Sequence, residues 1–113
     1  MDIQFRLRIR QGELVVIGPG KVALLEAIAA TGSISAAARA LGMSYRRAWT
    51  LVDEMNRGFA QPVVDTAAGG LQGGGAVLTE VAQGIVERYR AAETKAARAA
   101  ADDLAWLQSK IAK

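Results

Sequence analysis

Residues 32 to 57 read GSISAAARALGMSYRRAWTLVDEMNR, two short helical patterns divided by a glycine. No other stretch constrains the fold as tightly. Ala36, Ala37 and Ala38 carry small side chains that let one helix pack closely on the next, and Gly42 permits the sharp reversal between them. Ser33 or Ser35 is expected to cap the first helix, over residues 34–41, and Ser44 the second, because a hydroxyl there satisfies a free backbone N–H. From Ser44 to about Asn56, Ala48, Leu51, Val52 and Met55 share one apolar face, while Arg46, Arg47, Thr50 and Arg57 lie mostly away from it.

The flanking sequence supplies a support for this pair. Val22, Leu25, Ile28 and Ala29 fall on one face of a preceding helix that Thr31-Gly32 stops. Before it, Phe5, Leu7 and Ile9 alternate with Arg6, Arg8 and Arg10, the pattern of a half-buried strand, and Gln11-Gly12 turns the chain into a second β-rich run ending at Ile17. The three arginines read first as a solvated face that protects an edge strand, with phosphate contact as the lesser alternative. After the helices, Pro62 to Asp65 and Ala76 to Leu78 form two short β-runs around a glycine-rich tip, whose entropic cost asks for a reason such as close backbone approach to another surface. From Thr79 to Lys113 apolar positions recur at helical spacing: Val81, Ile85, Tyr89, Ala92, Ala96, Ala99, Leu104, Leu107 and Ile111. One helix over that stretch would be roughly 50 Å long, more than a small domain covers, so a second copy of the chain is the expected cover. The competing reading is a break near Asp102-Asp103.

Composition narrows the chemistry. The chain has 113 residues, a net charge of +3, no cysteine and no histidine, and a pI near 9.7. Disulfides, thiol chemistry, the usual zinc and copper sites and histidine acid–base catalysis are thereby excluded. The carboxylates are scattered and no nucleophile–base pair stands out, so an enzyme is not expected. No apolar run approaches 18 residues and the start lacks a signal peptide's apolar stretch, so a cytoplasmic protein without membrane contact is expected. The fold class that follows is mainly α with small β-hairpins. It is a single winged helix-turn-helix domain with an N-terminal hairpin over 1–18, a three-helix core over 20–57, a wing over 62–78 and a long dimerisation helix over 79–113.

Such a unit presents the polar face and the first turn of its third helix to a major groove. Arginine's planar fork suits guanine O6 and N7 and pairs equally well with phosphate. Arg46 and Arg47 are therefore the leading candidates for contact with double-stranded DNA, with Thr50 a turn further, Tyr45 near the helix start and Ser44 as cap and possible phosphate ligand. Trp49 is expected in the core. The wing offers Gly69, Gly70, Gly73, Gly74 and Gly75 without lysine or arginine, so it would bind through backbone N–H groups or lie as a thin ribbon along the minor groove. A nucleotide-binding phosphate loop is a poor alternative, since the glycines lack a Lys-Ser/Thr ending and do not sit between strand and helix.

The stretch GSISAAARALGMSYRRAWTLVDEMN, followed by GGGAVLTEVAQ, resembles the N-terminal DNA-binding domain of ModE-type molybdate-responsive transcription regulators. GSISAAARALGMS is more loosely similar to the winged helix of LysR-type regulators. The resemblance covers about residues 20 to 90 and is most specific at Ser44-Tyr45, Ala48-Trp49, Glu54-Met55-Asn56 and Gly73 through Thr79. It implies a homodimer on a palindromic operator, read by Ser44, Tyr45, Arg46, Arg47 and Thr50, flanked by Ser33 and Ser35 and supported by the wing at Gly70 to Gly75. Full-length members of that family carry C-terminal molybdate-binding domains beyond the winged helix, so molybdate sensing is not carried over, no cofactor is assigned, and no motif marks an oxyanion site. Met1 and the untagged end favour a natural single-domain regulator over a cut piece. Two alternatives share the fold: a protein-interaction module working through the long helix, and a small oxyanion-binding protein.

Overall fold

The computed structural model describes residues 2–66 and 75–113. Strands β1 (Ile9–Gln11) and β2 (Leu14–Ile17) pair antiparallel as the N-terminal hairpin, followed by helices α1 (Pro19–Thr31), α2 (Ile34–Leu41) and α3 (Tyr45–Gly58). Strands β3 (Val64–Asp65) and β4 (Val77–Leu78) pair antiparallel as the base of the wing, and α4 (Glu80–Ala99) and α5 (Ala101–Ser109) close the chain. The result is a mainly α winged helix-turn-helix with an N-terminal hairpin.

The core lies where α1, α2 and α3 meet. Val22, Leu24, Leu25 and Ile28 of α1, Ala37 and Ala38 of α2, and Ala48, Val52 and Met55 of α3 are all essentially inaccessible. Each large side chain among them contributes about 1.5–3 kcal/mol over leaving it in water. The α2–α3 reversal depends on Gly42, which ends α2 at φ 68° and donates its N–H back into the last turn. A side chain there would be strained in the left-handed region. The cap positions fall where the hydroxyls stand: Ser33 Oγ accepts from Ala36 N–H at 2.9 Å and Ser44 Oγ from Arg47 N–H at 3.1 Å.

Four local expectations are corrected. Ile9, placed on the buried side of the first strand, is exposed, because a bulge opens between the Ile9↔Ile17 and Arg10↔Val15 pairs. The extra residue, Val16, turns inward instead and packs against Gly58, where an added Cβ would stand 2.9 Å from Val16 Cγ1. On α1, Ala29 is exposed and Leu24 takes the inward position. Trp49 lies at the surface rather than in the core, as described below. Lastly, the single helix expected over 79–113 is divided at Ala100. Asp102 and Asp103 fall in the first turn of α5, where negative charge favours a new helix start.

Two sets of polar contacts tie the outer elements to the core. Arg90 of α4 holds Glu26 of α1 at 2.6 Å and Glu93 at 2.8 Å. The Arg90 hydrogen bond keeps the Glu26 carboxyl below its ordinary range against the opposing effect of burial. On the wing side, Asn56 Oδ1 accepts from Val63 N–H at 2.7 Å and from Val64 N–H at 3.3 Å. Thr79 caps α4 through Ala82 N–H while its hydroxyl donates to Pro62 O at 2.8 Å. Ala76 N–H donates to Gly32 O at 2.8 Å, fastening the returning wing strand to the α1–α2 turn. Asn56→Ala is expected to cost about 1–3 kcal/mol, because two buried N–H donors lose their acceptor. Urea unfolding checks this, and a change of only a few tenths would mean that solvent satisfies those groups.

Candidate nucleic-acid interface

The third helix is built to show one end. Ala48, Leu51, Val52 and Met55 bury one face of α3 against the core. Tyr45, Arg46 and Arg47 ahead of Ala48, and Trp49 and Thr50 between Ala48 and Leu51, are exposed around the helix's first turn and a half. Among the described residues neither Arg46 nor Arg47 pairs with a carboxylate, whereas Arg57, near the far end of α3, is held by Asp53 at 2.9 Å. The free guanidinium groups are thus gathered at the helix start, and the engaged one sits at the other end.

Hydrogen bonds fix what each polar group has left to offer. Thr50 Oγ1 donates its proton to Arg46 O at 3.1 Å, so toward a ligand this hydroxyl acts as an acceptor. Ser44 Oγ accepts from Arg47 N–H, which leaves its own proton to donate. On α2, Ser35 Oγ accepts from Arg39 Nη1 at 3.0 Å, one turn away. Ser33 and Ser35 are both half-buried and Ser33 serves chiefly as a cap. Arg39 was not singled out in the sequence, although the Ser35–Arg39 spacing of four residues marks a shared helix face.

Trp49 stands edge-on to Tyr45, ring centroids 6.3 Å apart, and keeps 38% of its surface accessible. Its place follows from helix geometry. It is one residue, about 100°, past Ala48 and so off the 48/51/52/55 face, and ring size alone does not bring it inside. The pair forms an aromatic ledge on the outer side of α3. Of the wing glycines, Gly69, Gly70, Gly73 and Gly74 lie outside the described residues. Gly75 is half-buried next to the anchored Ala76.

The N-terminal segment reaches the same region. Arg6 and Arg8 line a cleft together with Lys21, Arg47, Thr50 and Glu54. Lys21 is the one buried charged side chain among the described residues; its ammonium donates to Val15 O and pairs with Glu54 at 3.1 Å. Nothing in the sequence pattern singled out Lys21. Only the packing of β2, α1 and α3 around it shows that it bolts the support helix to the exposed one.

Comparison with known proteins agrees with this geometry. A family model described as bacterial regulatory helix-turn-helix protein, lysR family, matches residues 20–83. The chain is 51% identical over 82 residues to the molybdenum-pterin-binding protein MopB of Rhodobacter capsulatus, covering 73% of this chain and 30% of that protein. It is 37% identical over 89 residues to the DNA-binding transcriptional dual regulator ModE of Escherichia coli K12, covering 79% and 34%. It is 47% identical over 73 residues to the molybdenum transport protein ModE of Azotobacter vinelandii, covering 65% and 27%. The chain spans about a third of the length of these relatives. With the helix-turn-helix and its outward cationic end in place, the chain belongs to the lysR family of bacterial regulatory helix-turn-helix proteins.

Proposed function

We infer that the chain binds double-stranded DNA sequence-specifically as a homodimer, with α3 in the major groove and the wing, including the glycines at 70 and 73–75, against the backbone beside it. One observation carries the reading: Arg46 and Arg47, exposed and paired with no carboxylate among the described residues, open a helix whose opposite face is locked into the core. Ser44, Tyr45 and Thr50 complete the contact set, with Ser33 and Ser35 at the start of α2 facing phosphate. The dimer is supported by the C-terminal region. α5 has no buried residue, and Trp106, Leu107 and Ile111 are each more than half exposed. The molecule stretches to 55 Å along one axis against 29 and 24 Å along the others, so a second copy laid along α4 and α5 would cover what the domain leaves bare. Among the described residues no helix is long and apolar enough to cross a membrane, and a regulator of bacterial genes works in the cytoplasm.

The names of two of the relatives, MopB and the Azotobacter protein, add a connection to molybdenum, and the regulated genes are proposed to serve molybdate or a related oxyanion. Selection of bound duplexes from random DNA, with and without molybdate, tests the whole reading. Enrichment of an inverted repeat with half-sites about one helical turn apart is the expected result. Enrichment of single, unrepeated half-sites would remove the homodimer, and no enrichment at all would remove sequence-specific binding.

A further inference from the structure

The reading above uses α3 and leaves the basic cluster beside it without a role. A cleft of about 420 Å³ runs where the N-terminal segment, the start of α1 and one flank of α3 converge, and Arg6, Arg8, Lys21, Arg47, Thr50 and Glu54 line it. Glu54 is the only carboxylate among these lining residues, and Lys21 already engages it at 3.1 Å. Arg6, Arg8 and Arg47 pair with no carboxylate among the described residues, and the Arg6 guanidinium donates a 3.5 Å hydrogen bond to Gln4. Three like charges around one opening repel each other, and an anion lying in the opening reverses the sign of that interaction.

The segment that carries Arg6 and Arg8 is held in place. Tyr89 of α4, buried, donates its hydroxyl to Leu7 O at 2.7 Å, between the two arginines. The stem of Arg8 lies over Gly18, where an added Cβ would stand 3.3 Å from Arg8 Cγ. Burial raises the Tyr89 phenol above its ordinary value, so it remains a proton donor across the physiological range. The bulge after Ile9 changes the register between Arg8 and Arg10, and Arg10 does not line the cleft.

We propose that Arg6 and Arg8 bind the phosphodiester strand bordering the groove that α3 occupies, so that the DNA-contacting surface runs from Arg47 and Thr50 out along the N-terminal segment. The ligand chemistry is that of a continuous polyanion: Arg47 belongs to both the helix and the cleft, so a duplex on α3 carries its backbone past Arg6 and Arg8. This assignment rests on the DNA-binding reading and deepens it.

The test is duplex binding by fluorescence anisotropy, from about 50 to 200 mM salt, on a selected duplex and on one of random sequence. The variant is Arg6→Gln with Arg8→Gln, which keeps the aliphatic stem over Gly18 and removes the charge. The double variant is expected to weaken both duplexes by the same factor and to flatten the dependence of log affinity on log salt by about 1–2 per subunit. Arg10→Gln is expected to leave the slope as it is. A double variant as steep as the wild-type chain overturns the proposal. So does an equal flattening per charge from Arg10→Gln, which would reduce the effect to net charge. Absence of duplex binding by the wild-type chain itself would instead overturn the DNA-binding reading beneath it.

Discussion

Replacing Arg46 and Arg47 together by glutamine is expected to lower affinity for a selected duplex roughly thirtyfold or more while leaving thermal stability within a few degrees. The first half follows from removing two charge-assisted contacts in each subunit. A guanidinium on a base edge is worth about 1–3 kcal/mol, and one on a phosphate adds a sequence-independent share. The second half follows from burial. Both side chains are exposed and neither pairs with a carboxylate among the described residues, so the fold loses little when they go. The single variants separate the two roles. The arginine that reads a base costs more on the selected duplex than on random DNA, and the one on phosphate costs the same on both. If the double variant binds as tightly as the wild-type chain in anisotropy titrations, the exposed end of α3 is not the reading head.

The helix-turn-helix was legible because its signals are local. Ser33, Gly42 and Ser44 act within three or four residues of themselves, and the limits they imply are those found for α2 and the start of α3. The apolar positions 48, 51, 52 and 55 were legible for the same reason, since helical periodicity alone places them together. What the sequence hid are the features that depend on a third element. Lys21 is buried because Glu54 and the Val15 carbonyl come from two different elements to meet it. Arg6 and Arg8 looked like a solvated strand face until the bulge at β2 and the Tyr89–Leu7 bond placed them next to Arg47. Trp49 is expected in the core but lies about 100° past Ala48 on the helix, off the 48/51/52/55 face, and stays at the surface. The division at Ala100 follows the competing reading of a break near Asp102-Asp103, whose carboxylates mark a helix start inside an otherwise uninterrupted apolar period.

Leu25→Ala is expected to have the largest effect on stability, about 2–5 kcal/mol. Leu25 is wholly inaccessible on α1 and belongs to the cluster that α1, α2 and α3 share. Removing its isopropyl end loses the transfer energy of three heavy atoms and leaves a void that rigid neighbours such as Val22, Ile28 and Met55, all equally buried, fill only in part. For a domain of this length each kcal/mol lowers the melting temperature by about 4–8 °C, so the transition should fall by at least about 8 °C, readily seen by circular dichroism. Leu25 has no exposed surface, so the fraction that remains folded should bind DNA with the salt dependence of the wild-type chain. This is the reverse of the arginine result: stability lost with affinity kept, against affinity lost with stability kept. A Leu25→Ala chain that melts normally would mean the three helices do not share one close-packed core. α3 would then have no rigid base from which to present Arg46 and Arg47.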